Sequence, residues 1–352
     1  MREPAFLRKN KEKWLKFENA VFGEDNLQIS PDELSSLYQE LIDDLAYART
    51  FYPKSQTTRY INGLAARTHL LIYKNRKEDR NRFWAFWREE LPLEVRKAHR
   101  FIVYSLLFYL VAFAIGWLSA VKKDSFFRET MGYGYANMTE EYISENNPTK
   151  VYQMEEPFPM FIRIGANNVY VMFATFAAGI FFSIGSIIGM PLLSTGRFVV
   201  GLFPFGVSIG AFLGNFYDQG VAEAIPVVMI HSTLELSAII ITAGAGMMMG
   251  NSFMFPGTFT RKLSLMRGAK AGGKIMLGLF PVIVFAAFLE SYVTRHYDMP
   301  VIFIYAIIAA SAAFIIGYFG IYPILVERQV HARDHAIEVI QNDQPTLQPN
   351  LN

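Results

Sequence analysis

FIVYSLLFYLVAFAIGWLSA, residues 101–120, runs for twenty residues without a charge. A helix of roughly 20 apolar residues, rising about 1.5 Å per residue, spans the hydrocarbon core of a bilayer. Five further long apolar stretches follow, so the expected spans are 101–121, 165–190, 198–217, 225–250, 275–294 and 301–326. The fold class is therefore all-α: a polytopic membrane helical bundle of about six transmembrane helices behind an N-terminal cytoplasmic helical segment. The chain divides accordingly. Residues 1–81 form the cytoplasmic segment and 82–100 an interfacial amphipathic helix. Residues 101–326 form the membrane domain and 327–352 a cytoplasmic tail.

Upstream of the first span the chain is polar and helical in pattern. Ser30-Pro31-Asp32-Glu33 reads as a helix start, with Ser30 capping, Pro31 in the first turn and Glu33 closing a capping box. Leu34, Leu37, Leu41 and Leu45 then recur at three- and four-residue steps and mark one apolar face. A second helix is expected from Arg59 to Tyr73. Phe83, Trp84, Phe86 and Trp87 lie among Arg80, Arg82, Arg88, Arg96 and Lys97 directly before the first span. Aromatic rings with basic flanks favour the headgroup level. The charged start (Arg2, Glu3, Arg8, Lys9, Lys11) lacks a cleavable-signal pattern, so the first span is expected to serve as the insertion signal.

Basic residues set the orientation. The expected loop 251–274 holds Arg261, Lys262, Arg267, Lys270 and Lys274 without an acid and is assigned to the cytoplasm. Arg197 and the tail with Arg328 and Arg333 fall on the same side. The loop 122–163 has more acids than bases and is assigned outside, with the turn at Asp218 and Glu223. Both termini are then cytoplasmic. Gly185 and Gly189, Gly206, Gly210 and Gly214, and Gly246 and Gly250 recur at four-residue steps, and such faces let helix backbones approach closely in lipid. Packing within one subunit is the simpler use of these faces; a homo-oligomer is the other. The end, Gln341–Asn352, has a disorder-type composition.

With no cysteine among 352 residues and a net charge of +2, disulfides and thiolate chemistry are excluded and no nucleic-acid partner is expected. No phosphate loop or nucleotide fingerprint is present, and Gly132-x-Gly134 lacks the strand and helix that would give it meaning. The ionisable residues inside expected spans are His231, Glu235 and Glu290. Such residues are costly in lipid and mark function by default. His231 and Glu235 share one helix face. Glu290, Asn167 and Asn168 fall at similar depth, so all five are expected to converge on one pocket. Three roles fit them: a pair fixing helix register, a proton or ion relay, and a divalent-metal site with His231, Glu235 and Glu290 as candidate ligands. The zinc-protease spacing His-Glu-x-x-His is absent, no cofactor is predicted outright, and no catalytic residue is named. Arg163 and Arg295, at helix ends, could pair with Glu290 or with lipid phosphate, and the lipid or solvent role is the one assigned.

At these residues the chain resembles the stage II sporulation protein M family of bacterial inner-membrane proteins. The resemblance is carried by Asn167-Asn168 with Phe176-Ala177-Ala178-Gly179, then His231-Ser232-Thr233-Leu234-Glu235, Gly244-Ala245-Gly246, Phe255-Pro256-Gly257, and Ala286 through Thr294. Ser232 stands where the family usually has glycine. The resemblance implies a scaffold or adaptor for peptidoglycan remodelling, because the namesake works with two partners and brings a wall hydrolase to the septum. Envelope-remodelling proteins would then dock on loops 122–163 (Tyr133, Tyr135, Tyr142, Tyr152) and 251–274. The span layout also fits a permease subunit served by a separate ATPase. A metal-dependent intramembrane hydrolase is the third reading.

Overall fold

Phe6, Trp14 and Phe17 form the buried stripe of the first helix, and they close the core of an N-terminal unit, Met1–Arg82. The computed structural model describes residues 2–22, 31–74, 82–180, 187, 190–191, 198–199, 201–296 and 298–342. Three helices make the first unit: α1 (Glu3–Phe22), α2 (Pro31–Phe51) and α3 (Gln56–Lys74). Leu41, Leu45 and Ala48 of α2 meet Ile61, Leu64 and Ala65 of α3 and the α1 aromatics. Each fully buried Leu, Ile or Phe contributes about 1.5–3 kcal/mol of transfer free energy. Trp14 keeps its indole N–H satisfied by donating to Asp44 Oδ2 at 2.8 Å. The helix α1 is not in the sequence reading, because its apolar residues are sparse among Lys and Glu. The Ser30 cap lies outside the described residues.

The second unit, Phe83–Asn352, is the membrane bundle. Its helices are α4 (Arg82–Ala85), α5 (Leu91–Lys122), α6 (Asp124–Met131), α7 (Tyr133–Ser144) and α8 (Pro157–Ala178). They continue as α9 (Leu202–Asp218), α10 (Ile225–Met254), α11 (Arg261–Phe288), α12 (Val301–Phe314) and α13 (Tyr322–Asn342). Among the described residues, four helices are long and apolar enough to cross a membrane: Arg82–Lys122, Ala222–Met254, Arg261–Val293 and Val301–Arg333. They contain the expected spans 101–121, 225–250 and 301–326, and the expected 275–294 up to Val293. The count of about six is looser than this. α9 has only 17 residues. α8 carries Arg163, Asn167 and Asn168 and gives way at Gly179, so the expected 165–190 is not one unbroken helix. A two-residue antiparallel ladder pairs Met190 with Val199 and Pro191 with Phe198.

Other boundaries moved for local reasons. The stretch 82–100 is not a separate helix; it runs through a π-helical turn (Phe86–Glu90) into α5 as 41 continuous residues. Tyr318 and Tyr322 donate to the carbonyls of Trp87 and Arg88 at 2.6 and 3.0 Å, and Arg96 pairs with Glu327 at 2.7 Å. The basic loop shrinks to residues 255–260, because Thr260 caps α11 by accepting from the Leu263 N–H at 3.4 Å. The five basic residues therefore occupy the first turns of α11. Lys274 among them pairs with Glu90 at 2.8 Å. At the C-terminal end, α13 stays helical through Asn342, so Gln341 and Asn342 belong to it; residues 343–352 are outside the described set.

Backbone proximity holds the bundle together. A Cβ on Gly206 would sit 2.9 Å from the Ala112 Cβ, and one on Gly210 would sit 2.1 Å from the Phe113 carbonyl oxygen. One on Gly214 would lie 2.9 Å from the Trp117 oxygen, so α9 runs parallel to α5 with no room for side chains between them. Gly116 of α5 is equally close to the Val207 oxygen. Gly179 meets Gly246 of α10 backbone to backbone. Gly250 is buried on α10, while Gly185 and Gly189 lie outside the described residues. Close packing of this kind replaces water expulsion as the driving force in lipid.

The expected loop 122–163 is a folded cap. α6 and α7 meet at Gly132, whose φ of 87° is left-handed territory that glycine enters without a Cβ penalty. Phe127, Ala136 and Tyr152 of this cap bury against Phe212 and Phe216 of α9 and Val228 of α10.

Candidate functional site

His231 and Glu235 lie one turn apart on α10, and α11 runs antiparallel beside it, with Gly268 against Ser252 and Met249 near its start. A π-helical turn, Leu289–Val293, ends α11 and carries Glu290 back towards α10. The widened turn moves Glu290 into register with His231, whose Nε2 lies 3.8 Å from Glu290 Oε1. π-turns of this kind recur at functional sites. One ligating atom from each of His231, Glu235 and Glu290 falls within 4.8 Å of the other two.

The trio lines a cavity of about 450 Å³. Asn167 and Asn168 of α8 line it from one side, and Phe205, Ile209 and Phe212 of α9 from another. All five polar residues singled out in the sequence therefore share one cavity. The cap supplies Met131, Tyr135 and Tyr152, and the Tyr152 ring stands edge-on to the His231 imidazole at 5.5 Å between centroids. Burial holds the Tyr152 phenol well above its ordinary range; burial, then the Glu290 carboxylate, hold Tyr135 at about 12. Both hydroxyls therefore stay protonated beside the carboxylates.

His231 is 4 % exposed and its orientation is set by a residue that the sequence reading passed over. Thr294 Oγ1 donates to the Leu289 carbonyl at 3.2 Å, closing the π-turn, and lies 3.0 Å from His231 Nδ1. With the hydroxyl proton used, the oxygen accepts from Nδ1–H, and Nε2 presents its lone pair to the cavity. Ser232 Oγ is 3.3 Å from Nε2. Glu235 makes no hydrogen bond or ion pair among the described residues. Asn168 is 4 % exposed; Asn167 donates to its Oδ1 at 3.4 Å, while its own Nδ2 has no partner among the described residues.

The two arginines are not lone lipid contacts. Arg163, at the cavity mouth, pairs with Glu155 at 3.1 Å, and Arg295 donates to the Glu155 carbonyl at 3.3 Å. Gln153 in turn donates to the Arg295 carbonyl at 2.9 Å, tying the cap to the segment after the π-turn. Thr294 and Tyr152 had weak signals: the first closes the quoted stretch Ala286–Thr294, the second is one of the loop tyrosines. Nothing in the pattern tied either to His231.

Apolar helices of spanning length around a cavity with ionisable walls mark an integral membrane protein with a polar site between its helices. Residues 105–295, more than half of the chain, match the family model described as Stage II sporulation protein M, so the chain belongs to that family. Residues 4–74 match a second model, described as a domain of unknown function, DUF8413. No curated protein and no solved structure matches the chain.

Proposed function

We propose that this membrane protein is an ion- or proton-coupled carrier, or the membrane subunit of one, that accepts its ion in the cavity walled by α8, α9, α10 and α11. In this reading it lies in a bacterial inner membrane with both termini cytoplasmic. One observation carries the proposal: two carboxylates and an imidazole share a cavity of the membrane unit, and among the described residues no Lys or Arg forms an ion pair with either carboxylate. A pair that merely pinned helices would be matched and hydrogen-bonded, since the desolvation of each ion costs several kcal/mol. Purified protein in proteoliposomes loaded with pyranine tests it under an imposed membrane potential. Wild type acidifies the lumen and Glu235→Gln does not, while both elute as the same folded species. Equal proton flux in the two proteins overturns the reading.

A second reading, the envelope scaffold, draws on family membership and on the cap. The cap and the start of α8 expose Tyr133, Met154 and Phe158, each at least 60 % accessible. Wall enzymes co-purifying in mild detergent at near-equal amounts, and lost when these three side chains become serine, would favour it over transport. Co-purification of an ATPase would favour a permease subunit.

A further inference from the structure

We propose that His231 Nε2 and one oxygen each from Glu235 and Glu290 form a divalent transition-metal site. The proposal rests on the ion-binding reading of the same cavity and names the ion class. Three atoms no more than 4.8 Å apart can all lie within roughly 2.8 Å of a common centre. Zinc–nitrogen and zinc–oxygen bonds are about 2.0–2.2 Å, so sub-ångström rotamer adjustments close the site. The imidazole is already aimed: Thr294 accepts from Nδ1–H and leaves Nε2 as the donor atom. Metal-bound histidines nearly always have the far nitrogen held in this way, and the holder fixes both ring plane and tautomer.

Charge and softness agree with the geometry. A neutral imidazole and two carboxylates carry two negative charges, and a divalent cation neutralises both where solvent cannot. The chain has no cysteine, so the donors are nitrogen and oxygen, a set suited to Zn²⁺, Mn²⁺ or Fe²⁺ rather than to Cu⁺.

The amide of Asn168, without a partner among the described residues, is the independent sign of a ligand. A buried N–H₂ without a partner costs about 1–3 kcal/mol, and this one lies in the wall of the same cavity. Three protein ligands leave the metal a position for water or an anionic oxygen. An oxygen held there accepts from Asn168 Nδ2 and removes the deficit.

The test uses the full chain in detergent, stripped with chelator and titrated with Zn²⁺ alone by calorimetry. The expected result is one equivalent bound by wild type, at least 100-fold weaker binding in His231→Ala and Glu290→Gln, and 10- to 100-fold weaker binding in Thr294→Val. Thr294→Ser keeps the hydroxyl and restores the affinity, which a purely packing role for Thr294 would not do. Identical elution and helical circular dichroism show that the variants are folded. X-ray absorption of the Zn²⁺ complex reports one imidazole and oxygen ligands. No saturable binding to folded wild type, or stoichiometric binding unchanged in both His231→Ala and Glu290→Gln, overturns the site. If Zn²⁺ fails to bind while Glu235-dependent proton flux persists, the metal site falls and the carrier reading stands. If Zn²⁺ binds as predicted and no flux is seen, the carrier reading falls alone.

Discussion

Glu18 in the N-terminal unit and Glu235 in the membrane unit are both carboxylates, and their surroundings are opposite. Glu18 accepts from the Tyr60 hydroxyl and the Arg67 guanidinium, each at 2.6 Å, at the exposed rim of the three-helix packing. Glu235 stands in a membrane cavity without a hydrogen-bond partner among the described residues. A carboxylate with its donors in place has a complete structural role. One held in a cavity without them gains nothing for the fold and is explained by what enters the cavity. The apolar cavity between α11 and α12, about 550 Å³ and lined by Leu234, Pro281, Leu289 and Tyr318, shows what these helices enclose without added charge. Leu234 and Leu289 are the chain neighbours of Glu235 and Glu290, so adjacent residues on the same two segments line different cavities.

The contrast breaks most completely if the polar cavity loses a wall. Gly210 faces α5 while Ile209 and Phe212 of the same helix face the cavity. Gly210→Leu places a side chain where the Phe113 carbonyl oxygen is 2.1 Å from the Cβ position, so α9 must leave α5. The expected outcome is loss of the monodisperse peak in detergent. Gly317→Leu, where no atom lies within 4 Å of the added Cβ, keeps that peak. Equal behaviour of the two variants would show that the α5–α9 seam does not hold the cavity.

A smaller and oppositely signed effect is expected from Glu235→Leu. Replacing a buried, unpartnered carboxylate with an apolar residue of similar size is neutral or stabilising, by about 1–4 kcal/mol in other buried ionic clusters. Chelator-stripped Glu235→Leu should melt at the same temperature as wild type or a few degrees higher, and it should lose proton flux and Zn²⁺ binding. A markedly lower melting temperature would make Glu235 a structural residue like Glu18 and erase the contrast.

These particulars also mark how far the sequence could be read. The runs at 101–120 and 301–326 announce a membrane bundle because lipid imposes a length and an apolar composition on each span. His231 and Glu235 stand out because charge is rare there and helical spacing puts them on one face. Their meeting with Glu290 depends on a π-turn, which has no period in the sequence. The orienting role of Thr294 depends on which acceptor its hydroxyl finds. The cap was hidden because Gly132, Tyr135 and Tyr152 read as loop residues until packing against α9 and α10 orders them. α1 was missed because three aromatics among lysines make a face only when α2 and α3 lie opposite.

The smallest effect belongs to Glu18. Its carboxyl sits below the ordinary range, first because Tyr60 donates to it and next because Arg67 does. A folded-state pKa below the unfolded one stabilises the fold above the unfolded carboxylate range, and that contribution fades as pH falls through the depressed value. The Tyr60 phenol is pushed the other way, to about 12, by burial and then by Glu18, so its contribution is present below the ordinary phenol range and fades as pH rises through about 12. The Arg67 side chain is about half exposed, so solvent screens the ion pair and its worth is within about 0.2–1 kcal/mol. Glu18→Gln should therefore raise amide exchange in α1 and α3 less than tenfold at neutral pH, and the difference from wild type should shrink in acid. It should leave proton flux and Zn²⁺ affinity at wild-type values. A Glu18→Gln protein with altered flux would mean that the N-terminal carboxylate reaches the membrane chemistry, and the division between structural and ligand-awaiting carboxylates would have to be redrawn.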